Sequence, residues 1–282
     1  MRFLSFVSDG GPALGLRAGD GIVNLTALGL PATLDELLRH GPEGLEAARL
    51  AATKARKHVD PASLEWLSPL QAPGKAVAVG LNYVDHAAES KLATTGYPVL
   101  FTRYATSWVP HGTPLQRPRG CKQFDYEGEL VAIIGKAGRH IEKSRALEHV
   151  AGYSVFNDGS VREHQLATSQ WTIGKNFDRT GSFGPEFVTA DELPAGAAGL
   201  RLQTRLNDRV MQDANTRDMI FDVATLVVTC SEAFELQPGD IIITGTPAGV
   251  GLARKPQVFM EPGDVCEVEI EGVGLLSNPV VE

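Results

Sequence analysis

Three carboxylates at alternate positions, Asp125, Glu127 and Glu129, lead into the apolar run Leu130 to Ile134. If Asp125 to Gly135 is one β-strand, alternate side chains share a face and the three acids stand side by side. Like charges a few ångströms apart repel, and a bound divalent ion is the general way to neutralise them. A donor set made only of oxygen favours Mg²⁺, Mn²⁺ or Ca²⁺ over zinc. The same pattern also suits the solvated outer face of an edge strand, so both readings stay open on the motif by itself. A further acid, Asp158, follows the strand-like run Tyr153 to Asn157 and precedes Gly159. Strand ends are where a scaffold presents working side chains. Asp158 there either caps a helix leading into Glu163 and His164 or joins Glu127 and Glu129 as the third ligand of an octahedral site.

His86 and Glu89 stand three apart, a spacing that puts them on one face of a helix. A carboxylate beside an imidazole fixes its tautomer and raises its basicity, as a water-activating base requires. Most such pairs are surface neighbours, so the spacing alone does not decide. Lys175, in Gly174-Lys175-Asn176-Phe177, can hold a developing oxyanion or serve as a solvated loop lysine. Thr246 follows the apolar run Ile241 to Thr244 and offers a hydroxyl and an amide at a strand end, for an anion or simply for a turn.

The elements that must carry these residues are short. Ala76 to Val79, Leu130 to Ile134, Tyr153 to Phe156, Leu200 to Leu206, Ile241 to Thr244 and Val265 to Ile270 read as strands punctuated by Gly and Pro. Helical patterning is confined to Ser144 to Val150, His164 to Thr168 and Phe221 to Phe234 in this part of the chain. This texture predicts an α+β, β-rich barrel, sandwich or roll rather than a doubly wound sheet. Pro238-Gly239-Asp240 and Pro262-Gly263-Asp264 each precede a strand and read as turns. Residues 1–70 read as a small N-terminal domain with strands at Phe3 to Val7 and Gly15 to Leu25. A helix from Leu34 to Lys57 follows, opened by a capping box of Thr33 and Glu36. Pro69, Pro73 and Gly74 mark the boundary to a main domain spanning 71–282.

The 282 residues suffice for a sizeable core, and the net charge of −8 argues against nucleic acid or an anionic membrane as partner. Cys121, Cys230 and Cys266 are too scattered for a zinc motif or a disulfide framework and fit a reducing compartment. With no secretory signal pattern and no membrane-length apolar run, the expectation is a cytoplasmic protein.

Taken together and in order, the stretches Gly80 to Glu89, Asp125 to Leu130, Asn157 to Arg162, Gly174 to Phe177, Gly184 to Val188 and Pro238 to Gly251 resemble the fumarylacetoacetate hydrolase family. The resemblance covers about residues 73–282, and the earlier part looks like the smaller N-terminal domain of longer bacterial members. It implies a mixed β-roll core, a homodimer, and Mg²⁺ or Mn²⁺ held by Glu127, Glu129 and Asp158, with Asp125 not a ligand. It implies further that His86 and Glu89 form the catalytic dyad and that Lys175 stabilises an oxyanion. Gln165 and Thr246 fall where the family binds substrate. Arg103 stands where many relatives carry Lys-Pro, which places it at the far end of the substrate pocket.

The substrate class so implied is a small 2-oxo acid with a second carbonyl or an enol nearby. The leading expectation is a metal-dependent hydrolase that cleaves a C–C bond of an acylpyruvate, with water activated by His86 and Glu89. Decarboxylation or isomerisation of a 2-oxo acid in aromatic catabolism is the alternative, because the same site stabilises an enolate. A non-catalytic metal-binding protein on the same scaffold is the remaining reading.

Overall fold

Leu130 to Ile134 lies at the centre of a mixed sheet and is buried on both faces, which is why the run is apolar at every position rather than alternating. A computed structural model describes residues 1–55, 58–85 and 96–282. The strand Gly128–Ile134 pairs antiparallel with Val150–Asn157 on one side and with Ile241–Ile243 on the other. Outward from these lie Gly181–Thr189 beyond Val150–Asn157, and Ala76–Gly80 with Val99–Thr102 beyond Ile241–Ile243. Ile241–Ile243 runs parallel to Ala76–Gly80, which makes the sheet mixed. A second sheet of five strands, among them Arg201–Leu206, Val265–Ile270 and Gly274–Val281, covers one face.

Between the two sheets, Leu130, Ala132 and Val155 pack with Leu202, Val268 and Leu276, and the helix Val223–Ala233 closes that core. The opposite face of the central strand carries Val131 and Ile133, which pack with Phe156, Phe187 and Ile243. This second core is completed from the start of the chain, by Leu14, Leu34, Leu37 and Leu38. Arg2–Ser8 also pairs with Gly181–Thr189 through Arg2↔Val188 and Phe3↔Phe187, so the N-terminal strands continue the main sheet. The β-rich α+β architecture expected from the strand texture is therefore present, with mixed pairing and more than one sheet.

Several boundaries differ from the sequence reading, each for a local reason. Gly15 to Leu25 is two strands, Gly11–Ala18 and Gly21–Asn24, because Gly19 at φ 58° turns the chain back into a hairpin. The helix after Thr33 breaks at His40 and Gly41 into Leu34–Arg39 and Gly41–Ala52, with Gly41 at φ 59°. At its start the Thr33 hydroxyl accepts from the Glu36 amide at 3.3 Å, which is one half of the expected capping box. Lys143–His149 is a 3₁₀ segment rather than a regular helix, and the expected His164 to Thr168 helix is the single turn Arg162–Gln165. Both Pro-Gly-Asp stretches are turns, with Gly239 and Gly263 at φ 89° and 98°.

The overturned boundary that matters most for function lies at Tyr126. Asp125 to Gly135 is not one strand: Phe124–Asp125 pairs with Ser160–Val161 in a separate ribbon, and Gly128–Ile134 begins afresh. Strand alternation therefore does not extend from Glu129 back to Asp125.

Gly159 sits where the chain leaves Val150–Asn157, and a β-carbon on it would fall 1.8 Å from the carbonyl oxygen of Thr180. Backbone cannot yield as a flexible side chain can, so Gly159→Ala should cost about 1–3 kcal/mol as an overpacked site. Urea unfolding checks this, with a lowered midpoint at unchanged slope as the expected result.

Candidate metal and substrate site

Strand register does the first part of the assembly. Gly128 pairs with Asn157, so Glu127 and Asp158 lie side by side just beyond the ladder. The Asp158 amide donates to the Glu127 carbonyl at 2.8 Å, and the Glu127 amide donates to the Asn157 side-chain oxygen at 3.0 Å. Glu129 follows on the next inward position of the strand. One carboxylate oxygen from each of Glu127, Glu129 and Asp158 lies within 4.8 Å of the others, and all three residues are buried. Among the described residues this is the one group of three potential ligands.

Three buried cations surround these acids. The Lys175 ammonium, 1% exposed, bridges Glu127 Oε2 at 2.5 Å and Asp158 Oδ2 at 2.6 Å. Arg103 Nη1 donates to the other Asp158 oxygen at 2.7 Å. Arg162 Nη2 lies 2.7 Å from Glu127 Oε1, while its Nε donates to Asp125 Oδ2 at 2.8 Å. Burial pulls the Arg162 guanidinium down, but the adjacent Asp125 and Glu127 outweigh it and hold its pKa above the ordinary arginine value. For Arg103 the balance is reversed: burial dominates the attraction of Asp158 and lowers its pKa.

Glu129 is the exception. Its hydrogen bond among the described residues comes from the Gly245 amide at 2.5 Å, and no ion pair reaches it there. Gly245 holds φ at 98°, and a β-carbon there would meet Asn82 Cβ at 2.7 Å, so glycine alone lets this amide approach. Burial, then the charges of Asp158 and Glu127, push the Glu129 carboxyl well above its ordinary pKa of 4.5. A buried, crowded carboxylate short of a counter-charge, beside two others at ligand spacing, is the donor chemistry that suits a hard divalent ion. The three residues therefore fit such an ion.

Glu127 and Glu129 open onto a cavity of about 280 Å³ whose lining also includes Arg162, Gln165, Lys175 and Thr246. Gln165 accepts from Arg162 Nη1 through its side-chain oxygen at 2.7 Å, which leaves its N–H groups as what it can offer a ligand. The Thr246 hydroxyl donates to the Gly128 carbonyl at 3.0 Å and accepts from Gln212 at 2.8 Å. Arg103 is not on this wall. Its guanidinium is fully buried behind Asp158, donating also to the Gly159 carbonyl and to Ser107, so the expectation that it faces the far end of the pocket does not match its position. The reason is electrostatic: Asp158 has no exposed side and takes a cation from behind as well as from the cavity. His86 and Glu89 lie outside the described residues.

Asp125 is buried but turned away from the other acids, accepting from the amides of Gly251 and Leu252 at 2.7 and 2.9 Å as well as from Arg162. It orients the arginine that orients Gln165. Arg162 and Gln212 are two positions that spacing did not single out. Arg162 sits four residues after Asp158, and a second arginine near an acidic cluster is its one visible signal. Gln212 ties Thr246, the Gly128 amide and the Pro247 carbonyl together, and nothing in its neighbourhood of the sequence marks it.

Two outcomes follow from this charge arrangement. Removing one partner of a buried pair leaves the other stranded, so Arg103→Met should lower stability by about 3 kcal/mol or more in denaturant titrations of the metal-free protein. Because the Glu129 proton is held more tightly folded than unfolded, its contribution is complete below about 4.5 and is lost as the pH rises through the raised value. Metal-free protein should therefore lose stability as the pH climbs above 4.5, and Glu129→Gln should flatten that slope in urea midpoints measured against pH.

A family model described as fumarylacetoacetate (FAA) hydrolase C-terminal matches residues 75–281. A Xenopus laevis protein named oxaloacetate tautomerase fahd2, mitochondrial, is 36% identical over 289 aligned positions, covering 100% of this chain and 90% of its own. A solved fumarylacetoacetate hydrolase from psychrophilic Exiguobacterium antarcticum superposes with a TM-score of 0.88 at 35% identity, covering 100% of this chain and 99% of its own. A maleylpyruvate hydrolase from Sphingobium sp. SYK-6, solved in complex with manganese (II) ion and pyruvate, superposes with a TM-score of 0.84 at 31% identity over 100% and 99% of the two chains. No helix among the described residues is long and apolar enough to cross a membrane. From the match along most of its length and from full-length relatives of this identity, the chain belongs to the fumarylacetoacetate hydrolase family.

Proposed function

We propose that this chain is a divalent-metal-dependent enzyme that interconverts the keto and enol forms of a small 2-oxo acid of the oxaloacetate class. The observation that carries the reading is the buried triad of Glu127, Glu129 and Asp158, with Glu129 short of a counter-charge among the described residues and both glutamates on the wall of a small cavity. The name of the Xenopus laevis relative supports the choice of reaction. Glu127, Glu129 and Asp158 would hold Mg²⁺ or Mn²⁺. When bound, such an ion supplies Lewis-acid stabilisation of the oxygen on which electrons collect as a proton leaves carbon.

The remaining work falls to the chain's own groups. Lys175 is tied to Glu127 and Asp158 in the metal-free arrangement. Were those oxygens to hold an ion, the Lys175 N–H groups would be free to stabilise a developing oxyanion. Gln165, with its oxygen held by Arg162, presents donors suited to a carboxylate. Arg162 itself is fixed by Asp125, so this donor set is placed before substrate arrives and little reorganisation is needed. In tautomerisation the proton lost from the carbon between the carbonyls is replaced by one on the enol oxygen, so no other reactant is consumed.

Hydrolysis of an acylpyruvate is the second reading, favoured by the apolar part of the cavity lining, where Phe101, Leu166, Trp171, Val250 and Leu252 suit an acyl tail. In it, water activated by His86 with Glu89 attacks the distal carbonyl, and the C–C bond breaks to give a carboxylic acid and a pyruvate enol. The two readings separate in one set of assays. Oxaloacetate tautomerisation, followed by enol absorbance with added Mg²⁺ or Mn²⁺, should be accelerated and should fall by about two or more orders of magnitude in Glu127→Gln and Asp158→Asn. Unchanged rates in both variants would refute the metal assignment. His86→Ala should keep metal binding; loss of acylpyruvate cleavage in that variant, with tautomerisation retained, assigns His86 to water activation.

A further inference from the structure

Trp171 is the largest side chain on the apolar side of the cavity among the described residues. It precedes the short helix Thr172–Lys175, and its carbonyl accepts from the Lys175 amide at 3.2 Å. Indole and ammonium are therefore four residues apart, about 6 Å of rise on a regular helix. Phe101 links the two: its ring meets Trp171 edge to face with centroids 5.8 Å apart, and the Lys175 ammonium lies 5.4 Å from the Phe101 centroid. Behind the indole is Gly80, where a β-carbon would fall 2.1 Å from the Trp171 ring. The ring occupies the volume that any side chain at position 80 would need, so it is seated in a notch and braced from the side. All three residues line the cavity.

We propose that Trp171, seated against Gly80 and braced by Phe101, is the wall that limits how long a tail a 2-oxo acid can carry beyond the carbonyls held near Lys175 and the carboxylate triad. This rests on the reading that the cavity takes a 2-oxo acid, and it adds the size class. A cavity of about 280 Å³ shared with the polar groups suits a small acid, and a tail that outgrows its apolar part meets the indole. The wall is apolar, and among the described residues the cations on the lining, Arg162 and Lys175, are each paired to carboxylates. Tail length rather than tail charge is thus what Trp171 reads.

The test compares wild type, Trp171→Phe and Trp171→Ala against 2-oxo acids of increasing unbranched, uncharged tail, in the presence of Mn²⁺. Binding is read by competition and thermal shift, turnover is read separately, and Mn²⁺ affinity is titrated for each variant. In wild type, affinity should drop about tenfold or more at the first tail that meets the indole, the scale of one methylene in a closed apolar pocket. Trp171→Ala should move that drop to longer tails, with Trp171→Phe between the two and Mn²⁺ affinity unchanged in both. An identical length profile in all three proteins overturns the proposal. So does a loss of binding at every length together with weakened Mn²⁺ affinity, which would make Trp171 a support for the metal site. If wild type binds the series with the expected drop, and the variants shift it, but none of the acids is turned over, the wall stands and the reaction reading falls. If wild type binds none of them, both fall.

Discussion

Holding four carboxylates out of water in one place is the constraint on which the rest of this structure depends. Asp125, Glu127, Glu129 and Asp158 are all buried, and Arg103, Arg162 and Lys175 are buried with them. Desolvating each ion costs several kcal/mol, so none of the seven can be present without the others being placed to compensate it. Among the described residues, four acids against three cations leave one negative charge over when all are ionised, and the geometry assigns the deficit to Glu129. The site is therefore electrostatically incomplete in a defined spot, which is what a site for a divalent cation requires before the cation arrives.

Compensation of this kind needs elements from distant parts of the chain. Glu129 comes from the central strand and Glu127 from the residue before it, Asp158 from the residue after its antiparallel neighbour, Lys175 and Arg162 from two single-turn helices, and the Gly245 amide from just past Ile241–Ile243. The sheet supplies the rigidity and the short helices supply the cations. A glutamine on Arg209–Asn215, Gln212, reaches in from the second sheet to fix Thr246 and the start of the central strand. Both sheets thus bear on the same few oxygens.

Much of this was legible in the residues, and the limits of legibility have physical causes. Glu127, Glu129 and Asp158 could be suspected because like charges next to an apolar run demand an explanation, and they do converge. Asp125 misled the strand reading because alternation assumes an unbroken strand, and the chain turns at Tyr126 to send Asp125 toward Arg162 and the Gly251 and Leu252 amides. Arg103 misled the placement of substrate contacts because its character as a buried counter-ion depends on Asp158, which is 55 residues away along the chain. The break at Gly41 was written in a glycine that helical periodicity alone passes over. Gln212 carried no signal at all, since an amide in an amphipathic strand is ordinary until its partners are known.

The pairing of Phe3 with Phe187 has a consequence for how this architecture can be varied. The first strand borrows its ladder from the strand that also pairs with Val150–Asn157, and its neighbours seal the second core behind Val131 and Ile133. Exchange of that opening stretch between relatives would therefore succeed only where the incoming side chains match the far side of the sheet. The start of the chain and the back of the sheet that carries the site are thus one fit, as a lock and its own lining are.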